Sequence, residues 1–244
     1  ERAQICCGLA RRALDAVDAT VKSEAWNKIL AEKNWTNLYL AGDDFAKLIE
    51  KENVSIITGV TFSNIMMAVH KPITEKGVFL IGSNSGPAPI AGAQCSPYQY
   101  IVSWQNDNQA EVVGKYATDK GYKRVIGMAP NYQAGKDFIA GFKRMYKGEV
   151  IDEIYTPLNQ PDFAAELAQV ASKKPDAVYV FYPGGLGVNF VRQYQQAGLL
   201  GKTPLLSSST TDGSTLPAQK ETALGVISGT FDNEEGIEPN NSGK

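Results

Sequence analysis

The residues of this chain that could do chemistry fall in five short loops: TFSN (61–64), GSNSGP (82–87), PNYQAG (130–135), FYPGG (181–185) and SSSTTD (207–212). All five are small, hydroxylated or aromatic, and nearly uncharged. Such loops suit a pocket that holds a small molecule through backbone amides, hydroxyls and aromatic faces. They suit bond-breaking poorly, because no paired carboxylates, Ser–His–Asp set or metal cluster falls in them. GSNSGP and YPGGLG also lack the GxGxxG and GxxxxGK[ST] spacings of phosphate loops, so their glycines serve turn geometry or let backbone approach a ligand. No cofactor is expected.

Two loops stand out. Ser63 and Asn64 sit where a strand gives way to a helix, so a hydroxyl and helix-terminal amides converge on one place, as an anion requires. The competing reading is that Ser63 caps the helix. Tyr132 is stranded between strand and helix, at the carboxyl end where open α/β sheets bind ligands. It is either a loop aromatic packed on its own domain or a wall of a ligand cleft.

Other candidates are weaker. The single histidine, His70, lies in the apolar-rich NIMMAVHKPI and reads as a surface or satisfied structural residue. Cys6 and Cys7 are adjacent and Cys95 is remote, which allows at most one intramolecular bridge and suits neither zinc nor a redox pair. Charge nearly cancels, with 24 Lys and Arg against 26 Asp and Glu giving −2, and without a basic stripe nucleic acid is not an expected partner. No apolar run reaches the length of a membrane span. No signal peptide opens the chain, so an exported protein would be shown here as its mature form or a fragment.

The elements that must position these loops alternate. Residues 1–35 read as helix, broken near Ser23, and Asp43 to Asn53 as another; their Trp26, Leu30, Trp35, Phe45 and Leu48 need a surface to bury against. From residue 54 the rhythm is strand, loop, helix. Strands are expected at 54–58, 78–82, 98–104, 124–129, 149–155, 177–182, 204–208 and 225–231. Helices are expected through Val69, over 107–120, at Phe138–Tyr146, from Pro161, and around Phe190 to Tyr194. The loop 83–93 is too rich in Gly, Pro and Ser to be regular. Alternation of this kind means parallel sheets with helices on both faces.

GVTFSNIMMAV, FLIGSNSGPAPIAGAQCSPYQYIVSWQND, APNYQAGKD and PDAVYVFYPGGLGVNFVRQYQQAGL together resemble a type I periplasmic solute-binding protein. The group is that of the branched-chain amino acid receptors of ABC importers, especially the branch taking aromatic acids. The resemblance covers about residues 52–231 and implies a doubly wound, two-lobed α/β fold that closes over a ligand. Between the helical segment read over 1–52 and a polar tail read over 232–244, it implies a partial first lobe over 53–104 and a second lobe over 105–231. The ligand positions it implies are Ser63 and Asn64, Asn84 with Ser85 and Gly86, Tyr132, Tyr182 with Gly184, and Ser209 with Thr210. It further implies a periplasmic monomer that is not an enzyme and delivers a small carboxylate or amino acid to a membrane ABC permease.

The resemblance has gaps. The family's first strand and loop have no counterpart, nor does the long return segment, so the first lobe is expected to be incomplete. Residues 23–53 instead resemble the carboxyl-terminal helices of a tricarboxylate-transporter-type receptor. No residue clearly matches the acidic group that pairs with an amino acid's ammonium, since the loop offers only Ser, Thr and Asp212, and this favours a carboxylate without an amine. Rival readings are a hydrolase or transferase on a doubly wound sheet, and a chimeric or truncated scaffold that binds nothing.

Overall fold

The computed structural model describes residues 49–51 and 53–230. The helices expected over 1–35 and most of 43–53, and the tail, lie outside the described residues; Ile49 and Glu50 are helical. The chain divides between Gln105 and Asn106 into two compact units.

The first unit carries a three-stranded parallel sheet in the order β1 (Ile56–Gly59), β2 (Phe79–Gly82), β3 (Gln99–Ile101). Helix α1 (Ser63–Thr74) packs Met66, Val69 and Ile73 onto Ile57 and Leu80. It runs one turn beyond the expected Val69, straight through Pro72, because Ile73 is buried and tertiary packing outweighs propensity. The loop after β2 is not wholly irregular. Ala88–Ala91 forms one helical turn, α2, with Pro at its start and Ile90 buried. His70 is a satisfied structural residue: buried, with Nδ1 3.1 Å from Gln99 Oε1.

The second unit is doubly wound. Its five parallel strands run in the order β5 (Glu149–Thr156), β4 (Arg124–Pro130), β6 (Ala177–Val180), β7 (Leu205–Ser208), β8 (Val226–Gly229). α3 (Asn106–Asp119) leads into β4, and three long helices connect the next strands: α4 (Gln133–Met145), α5 (Ala164–Lys173) and α6 (Gly184–Gln196). The short α7 (Leu216–Gln219) precedes β8.

Successive side chains of a strand point to opposite faces, and the central strands use both. Val125 and Ala129 of β4 and Tyr179 of β6 join Val113, Phe138 and Phe142 of α3 and α4 in one core. Ile126, Met128, Val178 and Val180 join Phe163, Leu167, Phe190 and Tyr194 on the side of α5 and α6 in the other.

Two helix boundaries have physical causes. α5 starts at Ala164, not at the expected Pro161, because Phe163 is drawn into the core and Gln193 clamps the approach. Its Oε1 accepts the Phe163 amide at 2.8 Å and its Nε2 donates to the Pro161 carbonyl at 2.9 Å. α3 and α4 meet glycine to backbone. A Cβ on Gly141 would lie 2.2 Å from the Asp107 carbonyl oxygen, and one on Gly114 would lie 2.2 Å from that of Phe142.

This contact predicts opposite signs for one substitution at two helical glycines. Alanine gains about 1 kcal/mol over glycine in a helix interior. At Gly141 the clash with backbone outweighs that gain, and Gly141→Ala lowers stability by about 1–2 kcal/mol. At Gly185, where nothing lies within 4 Å, Gly185→Ala holds or raises it. Denaturant midpoints of the two variants check this.

Candidate ligand site

In each unit the candidate residues gather at the carboxyl ends of parallel strands. In the first unit the loops after β1 and β2 are joined: Ser63 Oγ and Ser85 Oγ lie 3.2 Å apart, both side chains buried. Asn84 Nδ2 donates to the Thr61 carbonyl at 3.3 Å, and the Asn84 carbonyl accepts from Ser103 Oγ at 3.0 Å, so Asn84 staples three strand ends.

Ser63 does not cap α1. Phe62 holds the cap position with extended backbone, and Ser63 is the first helical residue. The first turn of α1 therefore has no side-chain cap, and its opening amides precede the first bond, Met66 N to Phe62 O at 3.0 Å. The buried hydroxyl pair thus lies at the start of a helix, where polar groups gather without a charge. Asn64 is exposed beside it. Gly86 is there for packing, since a Cβ would meet the Trp104 carbonyl oxygen at 2.0 Å.

In the second unit β4 is the switch point, with β5 paired on one side and β6 on the other. The loops after β4 and β6 therefore flank the crevice where such sheets take ligands. Tyr132 caps α4 and is half-buried, its ring stacked on Phe181 with centroids 6.3 Å apart. The first reading of this tyrosine holds: its ring packs on its own unit, at the carboxyl end of β4. Burial, and secondarily the nearby Asp137 carboxylate, push its phenol well above the usual range.

Tyr182 corrects an expectation. It continues the alternation of β6 and falls with Val178 and Val180 in the core of α5 and α6, with no exposure. Its ring lies 5.0 Å from Phe163 and 4.7 Å from Phe190, and its hydroxyl pairs with Thr156 Oγ1 at 3.2 Å. It is core and lines no crevice. The residue placed toward Tyr132 is Phe181, stacked at 3.8 Å on Phe138. Counting alternation through AVYVFY would have found it.

Thr210 is also internal. Its Oγ1 accepts the Tyr182 amide at 2.7 Å and its carbonyl accepts Gln219 Nε2 at 2.8 Å. Gly184 is exposed, opens α6 and supplies a positive φ of 58°. Ser209 is partly exposed, with its hydroxyl turned to Gln109 Oε1 at 2.8 Å. Asp212 is absorbed by its own loop: one oxygen, Oδ1, accepts the Ser214 and Thr215 amides and the Ser214 hydroxyl at 2.9, 3.1 and 2.6 Å. Among the described residues no group of three or more His, Cys, Asp or Glu is placed to hold a metal.

These features define an α/β protein of parallel sheets with small, polar, nearly uncharged loops at the carboxyl ends of its strands. Residues 40–242 match the periplasmic binding protein family, and the chain belongs to that family. A Leu/Ile/Val-binding protein homolog of Brucella melitensis is 29% identical over 187 residues, covering 74% of this chain and 47% of the relative. Among solved structures, a Rhodopseudomonas palustris ABC-transporter solute-binding protein in complex with benzoate is similar at 30% identity and TM-score 0.72, covering 77% of this chain and 52% of that one. An ABC transporter substrate-binding protein from Sphaerobacter thermophilus is 31% identical, with TM-score 0.71 and coverage of 81% and 56%. The chain spans about half the length of the curated relatives it matches.

The placement of Tyr182 is tested by removing its hydroxyl. Tyr182→Phe should lower stability by about 0.5–1.5 kcal/mol through the lost bond to Thr156 and leave ligand affinity unchanged. Paired unfolding and ligand titrations read both; a weakened affinity at unchanged stability would return Tyr182 to the site.

Proposed function

We propose that this chain is a solute-binding receptor, or a part of one, that captures a small carboxylate without an amine, of the benzoate type, for an ABC importer. One observation carries the choice of ligand: Asp212 is the sole carboxylate in the candidate loops, and its Oδ1 is already taken up by donors of its own loop. An amino acid's ammonium would have to compete with those donors for Asp212, whereas a carboxylate without an amine needs no acidic partner. A carboxylate group, by contrast, meets the opening amides of α1 and the Ser63–Ser85 pair. The benzoate complex of a relative 30% identical supports the same reading.

In this proposal residues 53–104 belong to a first lobe and 105–231 to a second. Ser63, Asn64, Asn84 and Ser85 serve the first; Tyr132, Gly184 and Ser209 serve the second, with Phe181 backing the Tyr132 ring. The receptor works in the periplasm as a monomer and hands its ligand to a membrane permease. No covalent step is needed, so saturable binding without turnover is the expected signature.

Calorimetry of the full chain with benzoate, 4-hydroxybenzoate, leucine and isoleucine tests the proposal. The benzoates should bind more tightly than the amino acids; tighter leucine would sink the amine-free assignment, and consumption of any compound would sink the receptor. Ser63→Ala should weaken benzoate by about 1.5–3 kcal/mol, one charge-assisted bond. An unchanged affinity would take Ser63 out of the site.

A further inference from the structure

Ser209 is one of five non-glycine residues with positive φ among those described, at 51°. Left-handed backbone is unfavourable for serine, so the surroundings must enforce it. The Ser209 side chain is held by Gln109, in the first turn of α3 and one hundred residues away in sequence. Its amide is oriented by its other contact. Nε2 donates to the Gly229 carbonyl at 2.6 Å, and a carbonyl only accepts. Oε1 must therefore face Ser209, whose hydroxyl donates to it at 2.8 Å. Gln109 is buried, and β8 comes close enough to α3 that a Cβ on Gly229 would lie 2.4 Å from Val113 Cγ2. The same strand end holds the loop again through Ser228 Oγ to the Thr211 carbonyl at 2.7 Å.

We propose that Gln109 is a positioning residue for the candidate site. By holding Ser209 left-handed it sets where the loop 209–212 leaves the sheet, and so where Asp212 ties itself off and what the loop shows a ligand. Ser209 thereby acts as an anchor that spends its proton inward. The ligand part of this inference rests on the carboxylate-receptor reading; the loop-shaping part does not.

The test uses the full chain with Gln109→Met, which keeps length and bulk and removes both bonds, made alone and together with Ser209→Gly. Hydrogen exchange without ligand is read at Asp212, Ser214 and Thr215, whose amides are bonded within the loop. Gln109→Met should speed exchange there by about tenfold, the scale of one lost bond, with β4 and β6 unaffected. Glycine tolerates positive φ, so in the Ser209→Gly background the same replacement should have a clearly smaller effect. Benzoate affinity should fall by about fivefold or more in Gln109→Met, again the scale of one bond, and by less in the double variant. Unchanged loop exchange, a uniform rise across the whole unit, or an equal effect in both backgrounds would overturn the proposal. If the parent chain binds no benzoate, the receptor reading fails, and the exchange data alone decide the role of Gln109.

Discussion

Burial of the central parallel strands on both faces is the constraint on which the rest of this structure depends. In β4 and β6 every other side chain enters the core beneath α3 and α4, and the alternate ones enter the core beneath α5 and α6. No residue within such a strand is left over for a ligand. Function is pushed to the few positions just past the carboxyl end of each strand, and even there the alternation persists for a residue or two. Phe181 and Tyr182 are adjacent in sequence yet face different cores for this reason.

The fold was largely legible because both of its signals are local. Apolar runs such as RVIGMA and AVYVFY mark two-sided strands, and stripes such as Phe138–Ile139–Phe142 mark the helices that cover them. The expected start of α5 at Pro161 missed for a long-range reason: Gln193, thirty residues away, clamps the chain and Phe163 fills the core. The helix through Pro72 missed similarly, since a buried Ile73 outweighs a local breaker.

The candidate site was legible in outline and less so in roles. Ser63 and Ser85 do meet, and Tyr132 does stand at the switch point of its sheet. Gly86 is required by a carbonyl from another strand end, and Thr210 by the backbone of Tyr182, and neither demand is written in its own neighbourhood. Gln109 left no local signal, because both its partners are a hundred residues or more away. Hydroxyl-rich loops indicate polar recognition, but whether a given hydroxyl serves ligand or loop is decided by partners distant in sequence.

Apart from Asp212 the candidate loops are uncharged, and in the proposed reading an anion is met by oriented polar groups: the start of α1, where Phe62 gives no side-chain cap, and the paired serine hydroxyls. In the proposed reading such groups recognise a carboxylate by geometry. The most direct test is a titration of benzoate into the isotope-labelled full chain, followed amide by amide. The account predicts saturating shifts concentrated at Ser63–Ile65 in the first unit and at Asn131–Gln133 and Thr211–Gly213 in the second. Shifts that scatter over the surface, or that grow linearly without saturating, would contradict it.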